Sequence, residues 1–388
     1  MKYLFVLGRN VELSKIEIIC YFERIKRKIN SLELVENGLL VDLGEEEDLD
    51  IKRALQELGG CIAIGKVLFD FEEKDMREAL NKKNIYFDKE IKFNYSILNF
   101  SRKDFFFKIC DLIKEKFKRE GLKAVFRNPK GRIRSQAGDL FFGSPKKLSK
   151  ITKNYFLFGK QRLSFGILED IIESRLIEKR DMEKPERRTA LAISPRLAKI
   201  LINLSGIREA ETLLDPFCGV GVILQEALLQ GINVIGIDID EKAISSAKKN
   251  IDWLKENSRI EAEYTLIKGD SRKIKLNQNF DSVCFEPPLG ALLKKAINKK
   301  EAEIYLLLFE ETLIKVLINI RSMLKKKTRI SFTAPYLLVE KKRVGCNIKK
   351  ICEATSLNLF SLNSKEVHMQ EFRDNQLVGR EIFVLSNF

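Results

Sequence analysis

Leu213-Leu214-Asp215-Pro216-Phe217-Cys218-Gly219-Val220-Gly221-Val222 decides the fold of this chain. Apolar residues run up to an acid, two glycines follow within a short turn, and a helical pattern from Ile223 to Leu229 comes next. Glycine permits close approach of the backbone to a ligand, so Gly219 and Gly221 mark a strand–turn–helix unit built around one. The third glycine of a dinucleotide fingerprint is absent, because Leu224 stands there, and no G-K-[ST] follows to make a phosphate-binding loop. Working outward, apolar strands alternate with helical segments from Ser194 on. The predicted strands are 212–215, 234–238, 264–268, 281–285, 329–334, and a pair near 359–362 and 381–385. That alternation argues for a doubly wound α/β domain.

The acids fall at the ends of these strands in order. Asp215 precedes the glycine turn, where it would repel a pyrophosphate but welcome a ligand with a cationic amino group; this favours S-adenosylmethionine. Asp238 ends the second strand, Asn233–Asp238, 17 residues after Gly221, and a carboxylate there can accept ribose hydroxyls. Asp270 follows the third strand and can accept from an adenine amine. The fourth strand leads into Glu286-Pro287-Pro288-Leu289-Gly290. Two prolines fix the backbone and leave carbonyls without local N–H partners. A carboxylate followed by a rigid carbonyl can hold one exocyclic amine, and such positioning lowers a barrier by about 7–11 kcal/mol.

Upstream, residues 1–160 read as two small sheet-and-helix units in series. Strand 3–7, helix 12–22 and a hairpin around Glu36-Asn37-Gly38 come first. A helix at 49–58, strands at 61–69, 95–100 and 122–127, an amphipathic helix at 104–119 and further strands near 139–143 and 155–158 follow. Residues 162–188 read as a connector carrying a helix at 167–178.

The 388-residue chain has 70 Lys and Arg against 55 Asp and Glu, a net charge of +15. Residues 101–150 alone hold 15 basic and 5 acidic residues, an excess of 10, whereas residues 1–50 hold 7 and 11. Arg127, Arg132 and Arg134 surround a predicted turn at Asn128–Gly131 that itself carries Lys130. Arginine forks suit phosphate, so this segment is the expected grip on a nucleic-acid backbone. The seven cysteines form no C-x-x-C pair, which argues against a structural zinc site; no metal is expected. With one histidine, His368, histidine triads have no material. Neither a signal segment nor a membrane span is expected, and the thiols suit a reducing, cytoplasmic setting. The residues set no oligomeric state, and a monomer suffices for this reading.

These features resemble the THUMP-domain tRNA guanosine-N2 methyltransferases, which modify guanosine ten of tRNA. Lys179-Arg180-Asp181, Pro185, Arg187-Arg188, Ser194-Pro195-Arg196-Leu197-Ala198 and Asn203-Leu204 are similar to the stretch before that family's cofactor turn. Asp215–Gly221 and Ile235-Gly236-Ile237-Asp238 resemble its cofactor motifs, and Tyr3–Asn10 its opening. The resemblance implies a ferredoxin-like region at 1–48, a THUMP-like RNA-binding region at 49–160, a linker at 161–188 and a Rossmann-like class I methyltransferase domain at 189–388. It implies S-adenosylmethionine held by Asp215, Phe217, Gly219, Gly221, Asp238, Ile239 and Asp270. Catalysis would fall to Glu286, Pro287, Pro288 and Leu289, with tRNA as partner.

One departure matters. The family's tetrapeptide opens with Asp or Asn and ends in an aromatic; here it is Glu286-Pro287-Pro288-Leu289. Lost stacking on the base costs about 1–3 kcal/mol, and a misplacement of about 1 Å from the longer acid costs about a hundredfold. A tRNA-binding protein with impaired catalysis is therefore one rival. A DNA amino-methyltransferase is another, because Pro-Pro loops also serve adenine and cytosine amines, and a nicotinamide dehydrogenase is a distant third.

Overall fold

The computed structural model describes residues 1–44, 48–128, 132–134, 140–142, 145–187, 193–289, 297–362, 364–372 and 376–387. The chain divides into two units, one of residues 1–15 and 27–174, the other of residues 16–26 and 175–388.

In chain order the elements up to residue 174 are β1 (Lys2–Leu7), α1 (Val11–Arg24), β2 (Ser31–Val35), β3 (Gly38–Asp42), α2 (Ile51–Glu57), β4 (Cys61–Glu72), α3 (Met76–Lys82), β5 (Lys92–Ser101), α4 (Lys103–Arg119), β6 (Lys123–Phe126), β7 (Arg132–Arg134), β8 (Leu140–Phe142), α5 (Pro145–Leu148), β9 (Lys153–Gly159) and β10 (Arg162–Ile171). Among the described residues eight of these strands form one sheet in the order β2-β3-β1-β4-β10-β9-β5-β6, while β7 and β8 pair with each other. Helix α4 buries Phe105, Ile109, Ile113 and Phe117, spaced four apart, in an aromatic core with Tyr86, Phe93, Tyr95 and Tyr155.

Two expectations change here. The region read as two units in series shares a continuous sheet, because β1 pairs with β3 on one side and β4 on the other. The segment read as helix from 167 is strand β10 up to Ile171, and the helix begins only at Ser174. Strand β10 lies between β4 and β9 and is buried from Leu163 through Leu168. A strand covered on both faces has no polar alternation and cannot be told from a helix by period.

The second unit continues with α6 (Ser174–Met182), α7 (Pro195–Ser205), β11 (Thr212–Asp215), α8 (Val222–Leu228), β12 (Asn233–Asp238), α9 (Glu241–Asn257), β13 (Tyr264–Lys268), β14 (Ser282–Phe285), α10 (Lys299–Arg321), β15 (Arg329–Val339), β16 (Lys342–Val344), α11 (Ile348–Thr355), β17 (Asn358–Leu359), β18 (Ser361–Leu362), β19 (Lys365–Glu366), β20 (His368–Glu371) and β21 (Val378–Ser386). The start of α7 is written in its residues: Ser194 accepts from Leu197 N–H, Pro195 sits in the first turn, and left-handed Gly206 ends the helix. The main sheet runs β13-β12-β11-β14-β15-β21-β17. Its first five strands are parallel and β21 is antiparallel to β15. This is a Rossmann-like α/β fold whose strand order reverses between β11 and β14. Ligands of open α/β sheets bind outside the carboxyl ends of the strands at such a switch point. Asp215, Asp238 and Glu286 stand at those ends.

Candidate active site

The glycine turn after β11 is tied down from several sides. Cys218 N–H donates to Ile237 O at 2.9 Å, Gly219 N–H to Asp238 Oδ2 at 2.9 Å and Gly221 N–H to Cys218 O at 2.8 Å. Gly221 has φ +81°, and a Cβ there would lie 3.3 Å from the Ala247 methyl, so both conformation and packing call for glycine. Asn250 on α9 donates to Val220 O and to Glu186 O, each at 2.9 Å, and Ser271 Oγ donates to Pro216 O at 2.6 Å. These two residues escape a reading of strand-end acids. Asn250 did leave a signal, as a polar residue on the helix face that also buries Ala243, Ala247, Ile251 and Leu254.

Asp215 is 1% exposed. Its carboxylate accepts from Phe217 N–H at 3.0 Å, and among the described residues no cation pairs with it. Burial pushes its proton affinity well above the usual carboxylate range; the Phe217 hydrogen bond opposes this, and the charges of Asp238 and Glu286 add to it. Asp238 accepts from Gly219 N–H and, through Oδ1, from Asp240 N–H at 2.9 Å. Ile239, next in the chain, is 65% exposed beside it. Phe217 is half-buried with its ring 5.5 Å from that of Phe285. Asp270 is gripped by Arg272, whose Nε and Nη2 each donate at 2.8 Å. That hydrogen bonding brings the Asp270 carboxyl down to about 2.

Glu286 is where the structure adds most. Arg380 on β21 donates through Nε to Oε2 at 2.6 Å and through Nη2 to Oε1 at 3.0 Å, and Thr333 on β15 donates to Oε2 at 2.9 Å. Both side chains of the ion pair are largely buried. Oε2 thus takes two bonds and Oε1 one. Sequence reasoning missed Arg380 because it lies 94 residues away and reaches the site only through the pairing of β21 with β15. Leu289 is 3% exposed and packs with Ala302, Leu306, Leu337, Val339 and Val378, so it belongs to a core and does not face a ligand.

Of the basic group, Arg127 is exposed, and its N–H donates to Tyr95 O at 2.7 Å, extending the β5–β6 ladder. Arg132 and Arg134 lie on β7, whose backbone alone is described. Lys130 lies outside the described residues, as do Arg188 and Gly290. His368 meets Glu381 Oε1 at 2.9 Å and stacks on Phe383. Among the described residues no three His, Cys, Asp or Glu side chains gather as a metal-ligand set, and no helix is long and apolar enough to cross a membrane.

Residues 185–312 match the RMKL-like methyltransferase domain. That match begins at Pro185 and takes in the glycine turn, Asp238, Asp270 and the Glu286–Leu289 tetrapeptide. The chain is 36% identical over 110 residues to the tRNA (guanine(10)-N2)-dimethyltransferase of Methanothermobacter thermautotrophicus, covering 28% of this chain and 31% of that protein. It is 31% identical over 132 residues to the protein of the same name from Pyrococcus abyssi, covering 33% and 36%. The matched stretch spans about a third of the length of these curated relatives. Among solved structures, TrmN from Thermus thermophilus is similar over 100% of both chains, with a TM-score of 0.54 at 13% identity. At that identity the likeness carries the fold alone.

Proposed function

We propose that the chain is an S-adenosylmethionine-dependent methyltransferase acting on the exocyclic N2 amine of a guanosine in tRNA, at position ten. The observation that carries the reading is Asp215, a buried carboxylate to which none of the described residues brings a counter-charge, at the switch point of a methyltransferase-like sheet. A buried charge of this kind needs a cationic partner, and the amino group of S-adenosylmethionine is one. When bound, that cofactor supplies a methyl group on a positively charged sulfur.

The chain's own residues do the rest. Asp215 accepts the ligand's amino group, and the Gly219–Gly221 turn lets the backbone come close. Asp238 accepts from ribose, Ile239 and Phe217 offer apolar surface, and Asp270 borders the adenine edge. Glu286 and the Pro287 carbonyl hold the target amine in line, and after the methyl has passed from sulfur to nitrogen the nitrogen gives up a proton to solvent water. The basic region around Arg127, Lys130, Arg132 and Arg134, in a THUMP-like region spanning 49–160 behind a ferredoxin-like start at 1–48, grips tRNA by its phosphates. The guanosine is drawn out of the stack to reach the cleft. The names of the curated relatives support this choice of base and atom.

A second reading is favoured by one observation. The ion pair with Arg380 already engages both oxygens of Glu286, and Leu289 is packed away, which suits a protein that binds cofactor and tRNA without turnover. Nucleoside mass spectrometry of unmodified tRNA incubated with the purified chain and S-adenosylmethionine separates the two. The proposal expects N2-methylguanosine; cofactor and tRNA binding without methylated guanosine leaves the second reading standing.

A further inference from the structure

The site faces a problem that its tetrapeptide alone does not solve. Glutamate carries its carboxylate one methylene further than aspartate, and an unrestrained Glu286 would sweep a range of positions where the target amine must be met at one. The buried pair Arg380 and Thr333 supplies the missing restraint. Two parallel guanidinium bonds at 2.6 and 3.0 Å fix the plane of the carboxylate, and the Thr333 hydroxyl at 2.9 Å fixes its rotation. Both come from neighbouring strands, β15 and β21, whose register sets Pro335 opposite Arg380, so the hold is built on the sheet and not on a loop. The bonds also divide the work between the oxygens. Oε2 is taken twice and Oε1 once, which leaves Oε1 a lone pair, since an ionised carboxylate offers about four acceptor positions.

We propose that Arg380 is the positioning residue of this site, with Thr333 as its auxiliary: together they draw back the longer acid and present Oε1 of Glu286 as the oxygen that receives the amine. The inference rests on the methyltransferase reading above. It assigns to the last strand of the sheet a part in setting the geometry of transfer, and it explains how a glutamate can stand at the head of the tetrapeptide. The fork is the important property. Lysine would keep the charge and lose the planar, two-point hold.

The test uses the full-length chain, tRNA transcripts and steady-state kinetics on wild type, Arg380→Lys and Thr333→Val, with thermal unfolding and S-adenosylhomocysteine calorimetry on each. Arg380→Lys should lower kcat by about ten- to a hundredfold while KM for tRNA and affinity for S-adenosylhomocysteine stay within about threefold. Thr333→Val should lower kcat by a smaller factor in the same pattern, and it decides the matter should Arg380→Lys fail to fold. Glu286→Asp combined with Arg380→Lys should cost much less than the product of the two single effects, because the second change removes a hold already lost. An active wild type whose kcat survives Arg380→Lys within about twofold, or whose cofactor affinity falls in step with kcat, overturns the inference and leaves the methyltransferase reading intact. A wild type that methylates no guanosine overturns both.

Discussion

Asp215 and Glu286 follow adjacent parallel strands, β11 and β14, and both are withdrawn from solvent, yet their charges are treated in opposite ways. Glu286 is met by a guanidinium from the chain itself. Asp215 is met by one backbone N–H and by the fields of two other acids. One carboxylate is neutralised by the fold; under the proposed function the other is left for a ligand to neutralise. The lesson is that a carboxylate and a strand-end position, which the two share, do not distinguish an unpaired acid from a pre-paired one. The partner does, and the partner is a matter of tertiary pairing.

The sharpest way to break this contrast is to unpair Glu286. Arg380→Met should destabilise the chain by about 3–5 kcal/mol, since it leaves a buried charge alone, and the double change Glu286→Met with Arg380→Met should recover most of the loss. Thermal unfolding of the four proteins reads this directly. Equal midpoints for wild type and Arg380→Met would show the pair to be idle.

Asp215→Asn should do the reverse. An acid whose folded-state proton affinity is raised favours folding below its unfolded value of about 3.9 and loses that contribution as pH rises through its folded value. At neutral pH the unfolded chain ionises this group freely, so burying it costs the unliganded protein, and Asp215→Asn should raise its unfolding midpoint by a few degrees. The same change should weaken S-adenosylmethionine binding about ten- to a hundredfold, the loss of a hydrogen bond to a charged group being about 1.5–3 kcal/mol. A midpoint that falls together with affinity would make Asp215 a structural acid.

Leu289→Tyr probes the same turn from its apolar side. It restores the aromatic of the resembled tetrapeptide, but the cluster around Leu289 is closed. Overpacking should cost about 1–3 kcal/mol, seen as a lower unfolding midpoint with no gain in kcat. The smallest effect belongs to the basic region. Arg127→Ala should weaken tRNA binding by a few-fold and reduce the slope of log affinity against log salt by about 1, measured by fluorescence anisotropy.

What was legible in the residues follows the same division. The run Thr212–Val222 announces a strand, a glycine turn and a helix because each signal is local, and the strand-end acids are local too. So is the Asp270–Arg272 clasp, two residues apart. Strand β10 was not legible, because burial on both faces removes the alternation that marks a strand, and neither was the single sheet that joins β1 to β4. Arg380 was hidden by the 94 residues between it and Glu286, although a glutamate in place of a shorter acid was a sign that something must hold it. Leu289 read as a weakened stacking residue, and the structure places it in a core with side chains from α10, β15 and β21.

The central claim is that Asp215 is held for a cationic ligand, and proton release on binding tests it most directly. Calorimetry of S-adenosylmethionine binding at several acidic pH values, in buffers of different ionisation enthalpy, counts the protons exchanged, because burial raises the proton affinity of this carboxyl and a cation beside it lowers that affinity again. The account expects binding with a net release of protons, abolished by Asp215→Asn. Binding without proton release, or release unchanged by Asp215→Asn, would contradict it.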